Sequence, residues 1–287
     1  MGNRLSRIGI AGLQLDLEKG NNLARISAEV LAVKQRLPWV DLIVLSELSA
    51  YGADVRNAEP VGGKAEQEFC RMAREAGVWL VAGSLYQQEG RNVFNVAPVI
   101  DPSGAVVARY RKMFPFCPYE EGVAAGESFC VFTLPGVGRF GVSICYDIWF
   151  PETTRTLAWL GAEVVITPTL TNTIDRDTET TLVRANAAMN QCYLINVNAG
   201  GRLGLGRSIV CGPGGEVIHQ AGEGREVFAV ELDFTYVARV RERGWHGLGQ
   251  PLKSFRDSKV VFPPYQPGAR SSVLDVLGPV TKPKSVL

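Results

Sequence analysis

The sequence predicts an α/β fold with mixed sheets covered by helices, and two observations carry that prediction. Apolar runs of strand length alternate with segments whose apolar residues recur at helical spacing. Hairpin signals interrupt the alternation, so parallel and antiparallel neighbours must share a sheet. A four-layer α-β-β-α sandwich, with two mixed sheets face to face and helices outside, satisfies this pattern. Periodicity alone does not single it out.

Residues 7–14 are an apolar run suited to a buried strand, and Leu23, Ile26, Val30 and Val33 mark an amphipathic helix. Residues 42–45 form a second apolar strand that ends at Ser46-Glu47. A helix is expected over 64–76, then strands over 78–86 and 93–100. Asp101-Pro102-Ser103-Gly104 is a turn, with residues 105–110 returning as the hairpin partner. A Pro- and Gly-containing loop covers 115–127, and strands at 130–134 and 140–144 flank Pro135-Gly136-Val137-Gly138. A helix starts near Pro151, with Glu152 in its first turn. A short strand at 164–167, a helix over 178–191, an extended stretch at 192–198 and a meander over 209–232 complete the pattern. No linker or repeat divides residues 1–243, so one domain is expected there, followed by a Pro-rich tail at 244–287.

The bulk composition narrows the possible partners. The 287 residues carry 30 Lys+Arg against 29 Asp+Glu, a net charge of +1, and no charge run. Electrostatic attraction to nucleic acid or to an acidic membrane therefore has no support. Six cysteines, at 70, 117, 130, 145, 192 and 211, show no CxxC pair and no metal-ligand spacing. They read as free thiols in a reducing, cytoplasmic setting. No stretch is long and apolar enough to span a bilayer, and no apolar signal core opens the chain. Met1-Gly2-Asn3-Arg4-Leu5-Ser6 fits the loose N-myristoylation pattern, a match of the kind that arises by chance.

Histidine-based catalysis is poorly supported. The chain has two histidines: His219 lies within a strand-like segment, and His246 at the Gly-rich start of the tail. Cys145 is better placed. It follows the strand Phe140-Gly141-Val142-Ser143-Ile144 and precedes a helix, a turn that presents a nucleophile near free backbone N–H groups. The position alone leaves a buried core cysteine equally open. Glu47 ends a buried strand, where partial desolvation would raise its pKa and suit a general base. On its own, a solvated strand terminus is the simpler reading. Lys112 follows another strand, in Tyr110-Arg111-Lys112. Together the three strand ends offer a base, a cation and a thiol, the parts for amide hydrolysis without histidine.

These motifs resemble the nitrilase, or carbon–nitrogen hydrolase, superfamily. Leu45-Ser46-Glu47, Tyr110-Arg111-Lys112 and Gly141-Val142-Ser143-Ile144-Cys145-Tyr146-Asp147 stand in the superfamily's chain order, followed by Phe150-Pro151-Glu152. The likeness runs from about residue 7 to residue 235 and implies the α-β-β-α sandwich. The run from Tyr110 through Phe114 to Glu120 is similar to the aliphatic amidase and formamidase branch, which places a second glutamate at Glu120, with Glu121 adjacent. Ser46 departs from the usual Pro before the base.

The resemblance implies catalysis by Glu47, Lys112, Cys145 and Glu120, with the Tyr146 backbone N–H helping to hold an oxyanion. It implies an acyl pocket shaped by Phe116, and Trp149 and Tyr51 are further candidates for its wall. The polar loop at 169–178 is expected near the pocket mouth, and Arg184 in a structural ion pair. The expected substrate is a small unsubstituted carboxamide, with nitrile or N-carbamoyl hydrolysis on the same triad as alternatives. A non-catalytic binding protein on this fold is the remote one. No metal, nucleotide or organic cofactor is indicated. A homo-oligomer, dimer or higher, is expected, with the tail packing on a neighbouring subunit.

Overall fold

The structure is a computed structural model that describes residues 6–282. The Gly2 of the myristoylation pattern lies outside the described residues. The chain forms two sheets packed face to face, each covered by helices on its outer side.

The first sheet contains β1 (Arg7–Gln14), β2 (Val40–Leu45), β3 (Glu59–Pro60), β4 (Trp79–Val81), β5 (Leu85–Glu89), β6 (Asn92–Ile100), β7 (Val106–Arg111) and β8 (Val123–Ala124). The second contains β9 (Cys130–Leu134), β10 (Gly138–Val142), β11 (Val164–Thr169), β12 (Tyr193–Asn198), β13 (Ile209–Cys211) and β14 (Val217–Gln220). A last strand, β15 (Glu226–Asp233), crosses back to the first sheet and pairs antiparallel with β1. The orders are β15-β1-β2-β4-β6-β5-β3, with β7 and β8 also on β6, and β14-β13-β12-β11-β10-β9. Both sheets mix parallel and antiparallel pairs.

Side-chain alternation explains why the central strands read as unbroken apolar runs. On β1, Ile8 and Ile10 face the other sheet, whereas Ala11 and Leu13 face the helices. Leu42 and Val44 against Ile43 and Leu45 repeat this on β2, as do Val164 and Ile166 against Val165 on β11. Outside the first sheet lie α1 (Leu23–Arg36) and α2 (Lys64–Ala76), which contribute Ile26, Val30, Phe69 and Met72. Outside the second lie α3 (Pro151–Trp159) and α4 (Arg176–Asn190), which contribute Leu157, Val183 and Ala187. Each of these side chains larger than alanine, fully buried, contributes roughly 1.5–3 kcal/mol.

Several expectations need correction. The single strand over 78–86 is two, β4 and β5, which lie on opposite sides of β6. The break is Gly83, with φ +65; a Cβ there would lie 1.9 Å from the Ser46 carbonyl oxygen. The meander over 209–232 is divided between the sheets, because β15 leaves β14 to close the first one. The helix expected at 178 begins at Arg176. A single turn, α5 (Gly201–Gly204), and an unanticipated helix, α6 (Phe234–Arg243), follow. The tail carries a short helix, α7 (Pro251–Arg256), that returns over α3. There Phe255 meets the Trp159 ring edge-on, and the Tyr265 hydroxyl donates to Glu152 at 2.9 Å.

Candidate active site

Three strand ends converge at one edge of the sandwich. Glu47 lies two residues beyond β2, and its N–H donates across the seam to the Thr169 carbonyl of β11 at 3.2 Å. Lys112 directly follows β7 and is fixed by its own N–H to the Asn95 carbonyl at 2.8 Å. Cys145 opens a tight turn, Cys145–Trp149, after β10.

Lys112 Nζ donates to Glu47 Oε1 at 2.8 Å and to Glu120 Oε2 at 2.7 Å, with the lysine 1% exposed. Asn95 Nδ2 bridges the same carboxylates, at 2.8 Å to Glu47 and 3.1 Å to Glu120. The Tyr86 hydroxyl and the Phe116 N–H also donate to Glu120, at 3.3 and 2.6 Å. Glu120 thus occupies the place beside Lys112, whereas Glu121 points into solvent with its side chain 87% exposed.

Burial alone would push the Lys112 ammonium down, but the charges of Glu47, Cys145 and Glu120 hold it well above its usual value. Burial raises Glu47 above the ordinary carboxylate range despite the lysine. Burial works on Glu120 in the same sense, yet Lys112 and the donors around it bring that carboxyl below the ordinary range. Burial, Glu47 and then Glu179 push the Cys145 thiol well above its usual value.

Cys145 has φ +46, a left-handed conformation that costs a non-glycine residue about 1–2 kcal/mol. Asp147 holds that turn. Its Oδ2 accepts from the Ile144 N–H at 2.8 Å and the Tyr110 hydroxyl at 2.6 Å, and its Oδ1 from the Phe114 N–H at 2.9 Å. Tyr110 and Phe114 bracket Lys112, so one carboxylate ties the cysteine turn to the lysine segment. Burial raises the Asp147 carboxyl to about 6.

Beside the thiol lies a cavity of about 480 Å³, whose lining includes Phe116, Tyr146, Trp149, Thr171 and Glu179. The loop after β11 reaches it, as expected of a polar segment following a strand. Tyr51 does not. It lines an adjoining cavity of about 770 Å³, and its hydroxyl donates to Glu59 at 2.7 Å. Arg184, expected in an ion pair, donates to the Gly215 carbonyl at 3.3 Å instead. Sequence reasoning missed Glu179, which enters from the first turn of α4. Its Oε1 lies 3.7 Å from Cys145 Sγ and 3.1 Å from Thr171 Oγ1, and its Oε2 pairs with Arg176 at 2.7 Å. The signal was an Arg and a Glu one turn apart at the start of a helix.

A buried thiol on a left-handed strand-to-helix turn thus lies near a Glu-Lys pair at the edge of an α-β-β-α sandwich, the arrangement expected of a nitrilase-type hydrolase. Residues 7–242 match the carbon-nitrogen hydrolase family, and the chain belongs to it. It is thus an enzyme of the carbon–nitrogen hydrolase type, with amidases among its relatives. It is 30% identical over 205 residues to the deaminated glutathione amidase of Homo sapiens, covering 64% of this chain and 62% of that protein. It therefore spans somewhat under two thirds of that relative's length. It is also 30% identical over 243 residues to the 2-oxoglutaramate amidase of Bacillus subtilis, covering 81% of this chain and 93% of that one. In fold it is similar to the crystal structure of Saccharomyces cerevisiae Nit3, a member of branch 10 of the nitrilase superfamily. That match has a TM-score of 0.77 at 24% identity, over 84% of this chain and 96% of the other. None of these three is an aliphatic amidase or a formamidase, the branch expected from the lysine motif.

Proposed function

We propose that this enzyme is an amidase that converts an unsubstituted carboxamide to the carboxylic acid and ammonia through a thioester on Cys145. The observation that carries the reading is Lys112 held between Glu47 and Glu120, with the buried Cys145 thiol in the field of both Glu47 and Lys112. Glu47 takes the thiol proton, and the sulfur adds to the amide carbonyl carbon. Lys112 and the Tyr146 N–H carry the oxyanion. Glu47 returns the proton to the nitrogen, the C–N bond breaks and ammonia leaves. Water then adds to the thioester carbonyl, giving a proton to Glu47. The C–S bond breaks, and that proton restores the thiol. Glu120, fixed by four donors, accepts from the amide NH₂ and orients it. Phe116, Tyr146 and Trp149 wall the acyl side of the cavity, and Tyr51 belongs to its outer approach. Amidases among the relatives support the amide over the nitrile.

Ammonia release from small amides, matched nitriles and N-carbamoyl compounds tests this, with Cys145→Ala alongside. Release from amides that vanishes in the variant is expected. Turnover confined to nitriles or N-carbamoyl compounds would move the function while keeping the site.

A further inference from the structure

We propose that Glu179 makes this site selective for amides bearing a protonated amine on the carbon next to the carbonyl, the pattern of an amino-acid amide. The proposal rests on the amidase reading above and names its substrate class.

Glu179 is 1% exposed, yet the proton transfers above have no need of it. Its support is elaborate for a bystander. Arg176, also 1% exposed, holds Glu179 Oε2 and donates in addition to Asn196 Oδ1 at 2.8 Å, the Arg207 carbonyl at 2.7 Å and the Gly206 carbonyl at 3.2 Å. The guanidinium is locked, so the carboxylate is locked too. Its Oε1 is left facing the cavity, with Thr171 and the thiol as neighbours.

The charge around the thiol points the same way. Among the described residues, Glu47, Glu120, Asp147 and Glu179 are opposed by Lys112 and Arg176. The cavity lining adds Asp175 at the rim and includes no Lys or Arg. A cleft of that sign concentrates cations and repels a carboxylate on the acyl group. The distance fits as well. An amine on the carbon next to the carbonyl is two bonds from the carbon that sulfur attacks. A carboxylate oxygen 3.7 Å from that sulfur is then within hydrogen-bond reach of it.

The arrangement also couples recognition to activation. Burial, Glu47 and Glu179 together oppose loss of the thiol proton. A bound ammonium offsets the Glu179 charge, so the correct substrate helps to form the thiolate that attacks it.

The test compares kcat/KM for alaninamide, propanamide and succinamate in wild type, Glu179→Gln and Cys145→Ala. Alaninamide is expected to exceed propanamide by about ten- to a hundredfold, the range for a hydrogen bond to a charged group. Succinamate should fall below both. The preference should shrink above about pH 8, where an α-amine loses its proton. Glu179→Gln keeps the shape and removes the charge, so the alaninamide-to-propanamide ratio should fall toward one, whatever happens to either value alone. A wild-type ratio near one, a preference for succinamate, or a ratio unchanged in Glu179→Gln overturns the proposal. In each of those cases, amide turnover lost in Cys145→Ala leaves the amidase reading standing. If no amide releases ammonia, both fall. The wild-type ratio and its pH dependence decide the matter even if Glu179→Gln does not fold.

Discussion

Lys112 reaches two carboxylates at 2.8 and 2.7 Å in a place that water hardly enters. Removing its charge would leave Glu47 and Glu120 buried without a counter-ion. Lys112→Met is expected to lower kcat by at least about a hundredfold, the effect of losing one oxyanion donor. It should also cost about 3–5 kcal/mol of stability at pH 8. The pH sign follows from the carboxylates. Without the lysine the folded-state pKa of Glu47, already raised, rises further, and that of Glu120 rises from below its usual value, so the penalty grows as pH rises through that interval and shrinks as pH falls. Urea unfolding at pH 5 and pH 8 checks this, and a deficit equal at both would count against a charge origin. At this scale much of the cluster was legible. The Glu47, Lys112 and Cys145 motifs could be read in order, because each is anchored to a strand end. The choice between Glu120 and Glu121 could not be made with certainty, since adjacent glutamates differ only in which way the loop turns them. Arg176 and Glu179 stand one turn apart in the sequence, but the partnership of Glu179 with Cys145 bridges 34 residues and depends on how α4 is docked.

The elements place these side chains through close backbone approaches that leave little slack. Gly83, between β4 and β5, lies so near the Ser46 carbonyl that any Cβ must displace it, and its φ of +65 disfavours other residues. Gly83→Ala is expected to cost about 1–3 kcal/mol and to lower kcat/KM, because the strain falls one residue from Glu47. Thermal unfolding and steady-state kinetics together test it. A destabilised variant with unchanged kcat/KM would show that the contact does not position the glutamate. An isolated glycine inside an apparent strand is a sign of such an approach, but periodicity alone read residues 78–86 as continuous. Helix α6 escaped notice because its buried Phe234, Val237 and Val240 are interleaved with Arg239, Arg241 and Arg243 in a short segment. The crossing of β15 was equally hidden, since strand alternation reports two buried faces and not which sheet supplies the neighbour.

Over the whole molecule, the site is a seam: Glu47 and Lys112 belong to the first sheet, and Cys145 to the second. The predicted α-β-β-α layering is what the structure shows, because the long apolar runs on the central strands leave them no water-facing side. The tail is different. Val260, Val261, Tyr265, Val273 and Leu277 are exposed, an unusual density of apolar side chains for a free surface. We propose that they pack on a second copy of the chain. Light scattering should then give a multiple of 31.2 kDa, with a smaller mass after deletion of residues 258–287. A monomeric full-length chain would discard that reading.

The pairing of β1 with β15 has a further consequence, for biosynthesis. Arg7 finds Asp233 as its partner and Gln14 finds Glu226, so β1, made early in this domain, waits for nearly the domain's last strand. Until then, one edge of an eight-residue apolar strand has no neighbour and can template pairing with another nascent chain. Synthesis halted before residue 226 would yield aggregate rather than a partly active enzyme, even though Glu47, Lys112, Cys145 and Glu179 had all been made.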